Sequence, residues 1–421
     1  MNVNVRPSIE RAYRAHWGEL TAVLSRQFGA SQLDLVEAVV QEAFVKAMER
    51  WPVEGVPEKP VAWLLAVARH LRVDHARRQQ TAAVHQEEVE RSLAAAQVVV
   101  DDAGGAARLA TEISDDQLQM MFVCNHPDVT EDARIPLTLR TLCGFETEEL
   151  ARAYLTTDDA MKKRLVRARQ QIRDAGLELD LPAPAELGRR VDSVLATLYL
   201  LFSEGYAPHG GEQSLRRELA GEAIRLATIL VDHPLTCAPK VHALLALMHF
   251  QASRFDARAD ADGVPIVLKD QDRSLWDQRQ IRAGFVHLAE AAKGEEPSRY
   301  HLEASIAACH ARAADFASTD WPLIVQIYEL MLAHFPSDTA AVGHAIAVGQ
   351  LRGPEAGLKL LAELEREGRL AGYAPLHAAK AEFHAATGDL VKSTAALRLA
   401  LEAASTEAER AYFRRRLSAS T

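Results

Sequence analysis

The sequence predicts an all-α protein with more than one domain, and three observations support this. Amphipathic patterns with helical period run through almost the whole chain. Only 6% of the 421 residues are aromatic, whereas alanine and leucine are abundant, which favours helices. Two-helix patterns recur near the C-terminal end. Because a single core stops growing at ~250–300 residues, we expect two to four domains.

The composition indicates a soluble protein with a cytoplasmic location. No apolar run approaches the ~20 residues that span a bilayer, and the N-terminal residues lack the pattern of a signal peptide. The four cysteines are widely spaced and form no CxxC pair, which indicates reduced thiols. The net charge of −10 argues against nonspecific binding of nucleic acid. Any such binding must therefore come from local basic patches.

Two interruptions of the helical pattern divide the chain. An acidic, alanine-rich stretch over residues 79–116 reads as a linker, and a second, Pro-containing linker covers 176–188. The predicted domains are therefore 1–78, 117–175 and 189–421.

The first predicted domain contains two amphipathic helices around a Pro-rich loop, the second of them over residues 59–78. Helical spacing predicts an inward face made of Leu64, Val67, Ala68 and Leu71. The outward face carries Arg69, Arg72, Arg77 and Arg78, with Trp63 and His70 between the two faces. Trp51 and Trp63 could each pack in the core or stack on bases.

The second predicted domain reads as a helix-turn-helix. Its first helix carries an apolar stripe of Leu150, Ala151, Tyr154 and Leu155. Thr156 or Thr157 then caps a second helix. In that helix Met161, Leu165, Ala168 and Ile172 form the buried face, and the remaining surface is rich in Lys and Arg. Such a helix would enter a major groove, although Asp158 and Asp159 would repel phosphate. The alternative is a solvated basic helix paired with nearby acids.

The third predicted domain shows an internal repeat. Asp320, Pro354 and Asp389 occupy equivalent points, 34 and 35 residues apart, each followed by two helical segments. This period is typical of tetratricopeptide (TPR) units, which stack into an α-solenoid. Small residues are expected where the helices cross: Ala345, Ala347, Ala379 and Ala381. An irregular helical bundle is the alternative.

One stretch, residues 255–279, departs from the helical pattern and is dense in Asp and Arg. We expect a loop with a possible short strand at Val264–Leu268. The loop could be tied to the helices by ion pairs, or it could be a regulatory contact site for the other domains or a partner. The candidate residues of that contact site are Asp270, Asp272, Arg273 and Trp276.

No other pattern indicates catalysis or metal binding. Cys124, His126 and Cys143 are too few and too irregularly spaced for a structural zinc site. The "DADG" motif lacks the bidentate Glu of a calcium loop. We find no nucleophile triad and no phosphate-binding loop, so we expect no enzyme activity, no cofactor and no metal.

Two segments resemble regions of bacterial extracytoplasmic-function (ECF) sigma factors, members of the sigma-70 family. "DLVEAVVQEAFVKAMERW" with "PVAWLLAVARHLRVDHARR" resembles region 2, and "LTLRTLCGFETEELARAYLTTDDAMKKRLVRARQQIR" resembles region 4. The linker between them has the length found in that group and lacks the intervening region 3 domain, as that group does. The remainder, including "LYLLFSEGY" and "DQDRSLWD", is similar to the C-terminal extension of a subgroup with a TPR-type domain.

This resemblance implies roles for particular residues. The helix Asp34–Met48 would dock on the β′ clamp of core RNA polymerase. The protein would also contact the β flap of the polymerase. The docking candidates are Asp34, Glu37, Gln41 and Glu42. The helix Trp63–Arg78 would hold the minus-ten promoter element, and the helix Lys162–Arg173 would read the minus-thirty-five element. The DNA-binding candidates are Trp63, Arg69, His70, Arg72, Arg77, Arg78, Lys162, Lys163, Arg164, Arg167 and Arg169.

The expected function is that of an alternative sigma factor whose C-terminal domain regulates it, and a candidate route is an intramolecular contact with the sigma domains. Two other functions remain open. One is a helix-turn-helix DNA-binding regulator with a TPR signal-sensing domain that does not join polymerase, and the other is a scaffold protein. The sequence also leaves open whether regions 2 and 4 pack together in the free protein.

Overall fold

The computed structural model describes residues 6–80, 115–154, 156–206, 217–366, 368, 370 and 372–419, although the side chains of 6–11, 14–15, 74–80 and 152–153 are not part of that description. These residues are almost entirely helical and contain no β-strand, which confirms the all-α prediction. They form two compact units, Met1–Thr197 and Leu198–Thr421. Nearly all of the predicted acidic linker lies outside the described residues.

The first unit is built from helices on both sides of that linker. They are α1 (Arg6–Phe28), α2 (Leu33–Glu54), α3 (Pro60–Gln80), α4 (115–124), α5 (Glu131–Cys143), α6 (Thr147–Ala153), α7 (Asp158–Asp174) and the beginning of α8 (Pro184–Tyr206). Helices α1, α2 and α3 share a core that includes Trp17, Phe44 and Trp51. The residues predicted to face inward on α3 are all buried in this core. The inward face of α3 is therefore confirmed.

Helix α7 begins where the sequence predicts. The side chain of Thr157 accepts a hydrogen bond from the backbone N–H of Ala160 at 3.2 Å, so Thr157 rather than Thr156 is the N-cap. The four predicted core residues of α7 are all buried. On α6, Leu150 and Ala151 are buried. Tyr154, just after the helix, is half-buried, and Leu155 lies outside the described residues. The amphipathic reading of α7 is confirmed.

The second unit is a series of consecutive helices. They are the end of α8, then α9 (Arg217–Asp232), α10 (Pro239–Ala252), α11 (Gln278–Ala291), α12 (Arg299–Arg312), α13 (Trp321–His334), α14 (Asp338–Arg352), α15 (Pro354–Arg366), α16 (Ala374–Ala386), α17 (Leu390–Ala403) and α18 (Glu407–Ser418). From α12 onward each helix packs against the next. The helix pairs begin at Trp321, Pro354 and Leu390, that is, at intervals of 33 and 36 residues.

The helix crossings in this series depend on small residues. The four alanines expected there are buried. Gly349 is a further example, because a Cβ on it would lie 2.2 Å from the ring of Phe383. The repeated helix pairs of the prediction are therefore present, and their assignment to the TPR family stays a prediction.

The strand predicted at Val264–Leu268 is wrong. The structure has only an isolated bridge between Ala259 and Pro265, followed by a 3₁₀ turn at Leu268–Asp270. The carboxylate of Asp260 accepts a hydrogen bond from the N–H of Val264, which closes a tight turn through Gly263 at φ 77°. That turn leaves no length for strand pairing. Among the described helices, none is both long enough and apolar enough to cross a membrane.

Candidate nucleic-acid and polymerase interfaces

The outer face of α7 is exposed and positively charged. Lys162, Lys163 and Arg167 are all exposed there. Val166 lies among them and is 48% exposed, although it is apolar. Val166 was not among the residues predicted from the sequence, but its position away from the buried stripe indicates that it is exposed. The face thus combines cations with one apolar side chain, a mixture suited to phosphates and to a thymine methyl group.

Two other arginines predicted to bind DNA make contacts within the protein. Arg164 is half-buried, with its Nε 3.3 Å from the carboxylate of Asp132 on α5. Arg169 is only 9% exposed and its Nη2 donates to Glu37 at 2.7 Å. In this arrangement Arg169 is therefore part of an internal contact and does not join the exposed basic face.

Helix α3 presents its cations beside the end of α1. The Nε of Arg69 donates to Gln27 at 3.0 Å, and the guanidinium of Arg72 lies 4.1 Å from the ring centre of Phe28. Trp63 is half-buried and packs edge-on against the buried Trp51, with ring centres 5.6 Å apart. For Trp51 the structure supports the core alternative.

The remaining α3 candidates are less fully defined. His70 is half-buried. Arg77 and Arg78 lie on α3, but their side chains are outside the described part of the chain. The roles assigned to α3 in DNA binding stay predictions.

The outer face of α2 carries polar and apolar side chains in a row. Asp34, Gln41, Val45 and Met48 are exposed at spacings that place them on one face of the helix. Val45 is 40% and Met48 49% exposed, and both border a groove of about 330 Å³ beside the loop that follows α5. The polar residues of this face were predicted from the sequence, whereas this apolar pair was not. Glu42 is half-buried beside them.

Glu37, a predicted docking residue, is instead buried at the centre of an ion-pair cluster. Its carboxylate accepts hydrogen bonds from Arg140 Nε at 3.1 Å and from Arg169 Nη2 at 2.7 Å. Asp34 lies 3.2 Å from Arg169 Nη1 and accepts from Arg173 Nη1 at 2.8 Å. We call these five residues the acid–arginine cluster. It joins α2 to both α5 and α7.

The charges at the centre of the cluster are well compensated. Burial opposes the charged form of Arg140, but Glu37 and Glu146 outweigh burial and raise the pKa of its guanidinium. Glu146 receives a hydrogen bond from Arg140 Nη1 at 2.8 Å. Arg140 therefore stays charged, as a buried network of this kind requires.

Other contacts across the same junction are tightly packed. The indole N–H of Trp17 donates to the carbonyl of Arg140 at 3.0 Å. Gly18 lies so close to α5 that a Cβ on it would be 2.0 Å from the carbonyl oxygen of Leu142. The hydroxyl of Tyr13 donates to Glu146 at 2.7 Å. Residues 12–73 and 116–174 thus form one packed unit, which answers the question that the sequence left open.

The predicted regulatory loop of the second unit is anchored from inside. Arg273 donates to the backbone carbonyls of His310 and Ala313, and its guanidinium lies 4.6 Å from the ring centre of the buried Trp276. Asp272 is exposed and caps the turn that contains Arg273, while Asp270 is exposed. Arg273 and Trp276 therefore hold the loop in place, and Asp270 is accessible to a partner.

Ion pairs tie this loop to distant helices, as one of the two sequence interpretations expects. Arg415 on α18 contacts Asp260 and lies 2.8 Å from Asp262. Lys269 pairs with Glu382 on α16. The other interpretation, a regulatory contact site, stays a prediction.

Within the described ranges, no group of three or more His, Cys, Asp or Glu side chains could hold a metal ion. Cys124 and Cys143 are both buried, and burial raises the pKa of Cys124 to about 12. These thiols are packed as apolar side chains in the first unit.

Comparison with known proteins supports the interpretation of helices α1–α3. Residues 12–82, which cover most of α1 and all of α2 and α3, match the family described as Sigma-70 region 2. Region 2 is the part of sigma-70 proteins that contacts core RNA polymerase, and proteins of that family are transcription factors rather than enzymes. Residues 190–292 match a family of unknown function, DUF6596.

One relative matches along nearly the full length. It is the uncharacterized protein R00370 of Rhizobium meliloti (strain 1021), which is 33% identical over 390 residues, 91% of this chain and 90% of that protein. No solved structure matches the chain. The chain belongs to the same family as R00370, and its α1–α3 domain matches sigma-70 region 2, which supports a role in transcription initiation.

Proposed function

We propose that this chain is an alternative sigma factor of the ECF type, which binds core RNA polymerase and directs it to specific promoters. The observation that carries the proposal is the match of α1–α3 to sigma-70 region 2. The exposed basic helix α7, which follows region 2 after a linker, adds a second DNA-reading element. The C-terminal helical array, a TPR-like domain in this proposal, regulates the activity.

The polymerase-docking surface in this proposal is the outer face of α2. Gln41, Val45 and Met48 are exposed on this face and border a groove. An exposed apolar pair beside polar residues is typical of a protein-binding site. We assign to this face the contact with the β′ clamp, and to the region 4 domain the contact with the β flap.

The DNA-reading surfaces are α3 and α7. On α7, Lys163 and Arg167 would contact phosphates of the minus-thirty-five element while Val166 faces base edges. On α3, Arg69 and Arg72 would lie along the minus-ten element, with His70 near a flipped-out base. Flipping costs a few kcal/mol, which stacking and backbone contacts offset.

In vitro transcription tests the proposal with the full-length chain. Bacterial core RNA polymerase, sheared genomic DNA of the source organism and the chain are combined, and the 5′ ends of the transcripts are mapped. We expect a small set of start sites that core polymerase alone does not produce. If the chain binds DNA fragments but yields no new start site, it is the DNA-binding regulator of the alternative interpretation.

Two single substitutions, with a third as control, separate the two surfaces. Met48→Asp, at an exposed position, should lower the affinity for core polymerase by at least about tenfold, since it puts a charge in an apolar contact. Lys163→Ala should keep polymerase binding but weaken promoter binding and reduce its salt dependence by about one unit of slope. Lys392→Ala, on an exposed part of α17, is the matched control and should change neither property.

The regulatory role of the 255–279 loop needs a separate test. Because Asp270 is exposed and Arg273 is a packing residue, Asp270→Ala is the informative change. We expect it to alter the yield of specific transcripts without lowering the thermal midpoint. Glu296→Ala, also exposed, is the control. Equal transcription by both variants and the parent protein would remove the loop from the proposal.

A further inference from the structure

We propose that the second unit binds a small molecule with a phosphoryl group, either inorganic phosphate or a phosphate monoester, at three arginines around the 255–279 loop. We call Arg254, Arg258 and Arg273 the arginine cluster. The proposal concerns this unit alone and stands whether or not the chain joins polymerase.

Aromatic rings and neutral acceptors hold the arginine cluster in place. The guanidinium groups of Arg254 and Arg273 lie 5.5 and 4.6 Å from the ring centre of Trp276. That of Arg258 lies 3.6 Å from the ring centre of Tyr206. Arg254 donates to the side-chain oxygens of two glutamines, Arg273 to two backbone carbonyls and Arg258 to one backbone carbonyl. These contacts orient the side chains and neutralise none of the three charges.

The acids of this segment are engaged elsewhere. Asp256 pairs with Arg217 at 2.6 Å. Asp272 caps the turn that follows it, and Asp277 caps α11. Among the described residues, no carboxylate forms an ion pair with a member of the arginine cluster. The cluster is therefore short of negative charge, although the whole chain has a net charge of −10.

The positive charges of the cluster act on one another and on a neighbouring imidazole. Burial lowers the pKa of the Arg254 guanidinium, and the nearby charges of Arg258 and Arg273 lower it further. Burial also lowers the pKa of Arg273, an effect that the exposed carboxylate of Asp315 opposes from a distance. Burial together with Arg254 and Arg273 lowers the pKa of His310 to about 4. A bound anion would offset this repulsion.

Three hydrogen-bond donors in or beside the cluster lack an acceptor in the described part of the chain. They are Arg258 Nε, Arg273 Nη2 and the indole N–H of Trp276, which is only 3% exposed. Guanidinium and indole nitrogens can donate hydrogen bonds but cannot accept them. A buried donor without an acceptor is costly, so a ligand with several acceptor oxygens is the chemistry that this site lacks.

A phosphoryl group meets these requirements. Its terminal oxygens carry negative charge and can accept from more than one guanidinium at once, and arginine is the side chain best suited to such forked contacts. A carboxylate presents only two oxygens and should bind more weakly. The three arginine side chains are half-buried, so part of each remains within reach of a small ligand.

Equilibrium dialysis of the full-length protein with radiolabelled inorganic phosphate tests the site directly. Sodium chloride keeps the ionic strength constant, so that screening is equal at every phosphate concentration. We expect one saturable site, for which phenyl phosphate competes at least about tenfold better than succinate, a dicarboxylate. Tighter binding of phenyl phosphate than of phosphate would identify a monoester as the ligand, and the reverse order would identify free phosphate.

Arg254→Gln and Arg258→Gln each remove one charge from the cluster. Each should weaken phosphate binding by at least about tenfold, the contribution of one charge-assisted hydrogen bond. Arg217→Gln is the matched control, because Arg217 also lies over an aromatic ring, 5.5 Å from the centre of Phe255, but has the carboxylate of Asp256 as its partner. It should leave the affinity unchanged.

Hydrogen exchange of the parent protein gives a test that does not depend on the folding of any variant. Phosphate should slow amide exchange in residues 254–276. It should not act only on α7, where the exposed Lys163 and Arg167 also attract anions. Four results would overturn the proposal: no saturable binding, slower exchange confined to α7, cluster variants that weaken binding no more than Arg217→Gln does, or competition by succinate equal to that by phenyl phosphate.

Discussion

Replacing Glu37 by Gln is expected to weaken the packing of α5 and α7 against α2 by about 3 kcal/mol. The substitution keeps the shape of the side chain and removes its charge. Residue 37 is 5% exposed, and Arg140 and Arg169 are 7% and 9% exposed. In the variant, the two guanidinium groups therefore remain buried beside a neutral amide. A buried cation that loses its carboxylate cannot recover the lost interaction from water.

The magnitude follows from the contacts that remain. Breaking a buried ion pair from one side costs about 3–5 kcal/mol. Arg140 retains Glu146 at 2.8 Å, and Arg169 retains Asp34 at 3.2 Å, so the lower end of that range applies. Glu49→Gln on the same helix is the matched control. It removes an exposed pair with Lys46, which is worth only about 0.3–0.5 kcal/mol.

Hydrogen exchange of the full-length protein, followed by mass spectrometry, measures the loss of local stability in α5 and α7. A loss of 3 kcal/mol corresponds to about 150-fold faster exchange of the protected amides of α5. The core of α3 and the second unit should keep their rates. If exchange in α5 accelerates less than about threefold in Glu37→Gln, the acid–arginine cluster does not hold α5 and α7 against α2, and the prediction is wrong.

Two further predictions concern close packing and pH. Gly18→Ala should speed exchange in α1 and α5, because its Cβ would lie 2.0 Å from the carbonyl oxygen of Leu142; Gly221→Ala, which faces open space, should not. Thermal denaturation should show the second unit losing of order 4 kcal/mol between pH 7 and pH 5, about 2 kcal/mol for each of two histidines. Burial lowers the pKa of His287 and His310 to about 4 in the folded protein. As the pH falls through 6.5, the unfolded chain therefore binds protons that the folded protein does not, which lowers the free energy of unfolding. His287→Gln should make this decline in the free energy of unfolding shallower.

Much of the secondary structure could be predicted because periodicity depends on local sequence alone. The buried face of α7, the cap at Thr157 and the helix pairs after Trp321 all follow from spacing and capping chemistry. The buried alanines at the helix crossings follow from the same repeat. Comparison with the sigma-70 family then supports the interpretation of α1–α3.

The candidate site was only partly predictable, because the junction between two sequence-distant segments depends on tertiary contacts. Glu37 was assigned to an exposed docking face, yet the residues that bury it lie 103 and 132 positions away. A signal was present on α7, where Arg169 falls four residues after Leu165 and three before Ile172, within the buried stripe. A cation at such a position indicates a buried acidic partner, but the sequence does not say which one.

The packed first unit has a geometrical consequence for a protein that reads two promoter elements. Elements centred about 25 base pairs apart are separated by about 85 Å at ~3.4 Å per base pair. The described part of this unit, a compact body of about 157 residues, has a radius of gyration of only about 15 Å, too small for α3 and α7 to reach both elements while they share it. The chain between them could span the distance, since residues 81–114 extend to at most about 110 Å.

Promoter reading by both helices therefore requires the acid–arginine cluster to separate. If the cluster favours the packed state by about 3 kcal/mol, fewer than about 1% of free molecules are open, and affinity for a partner that needs the open form is about 150-fold weaker than its intrinsic value. The strength of the four ion pairs among these five residues would then set the concentration of polymerase at which the protein begins to act.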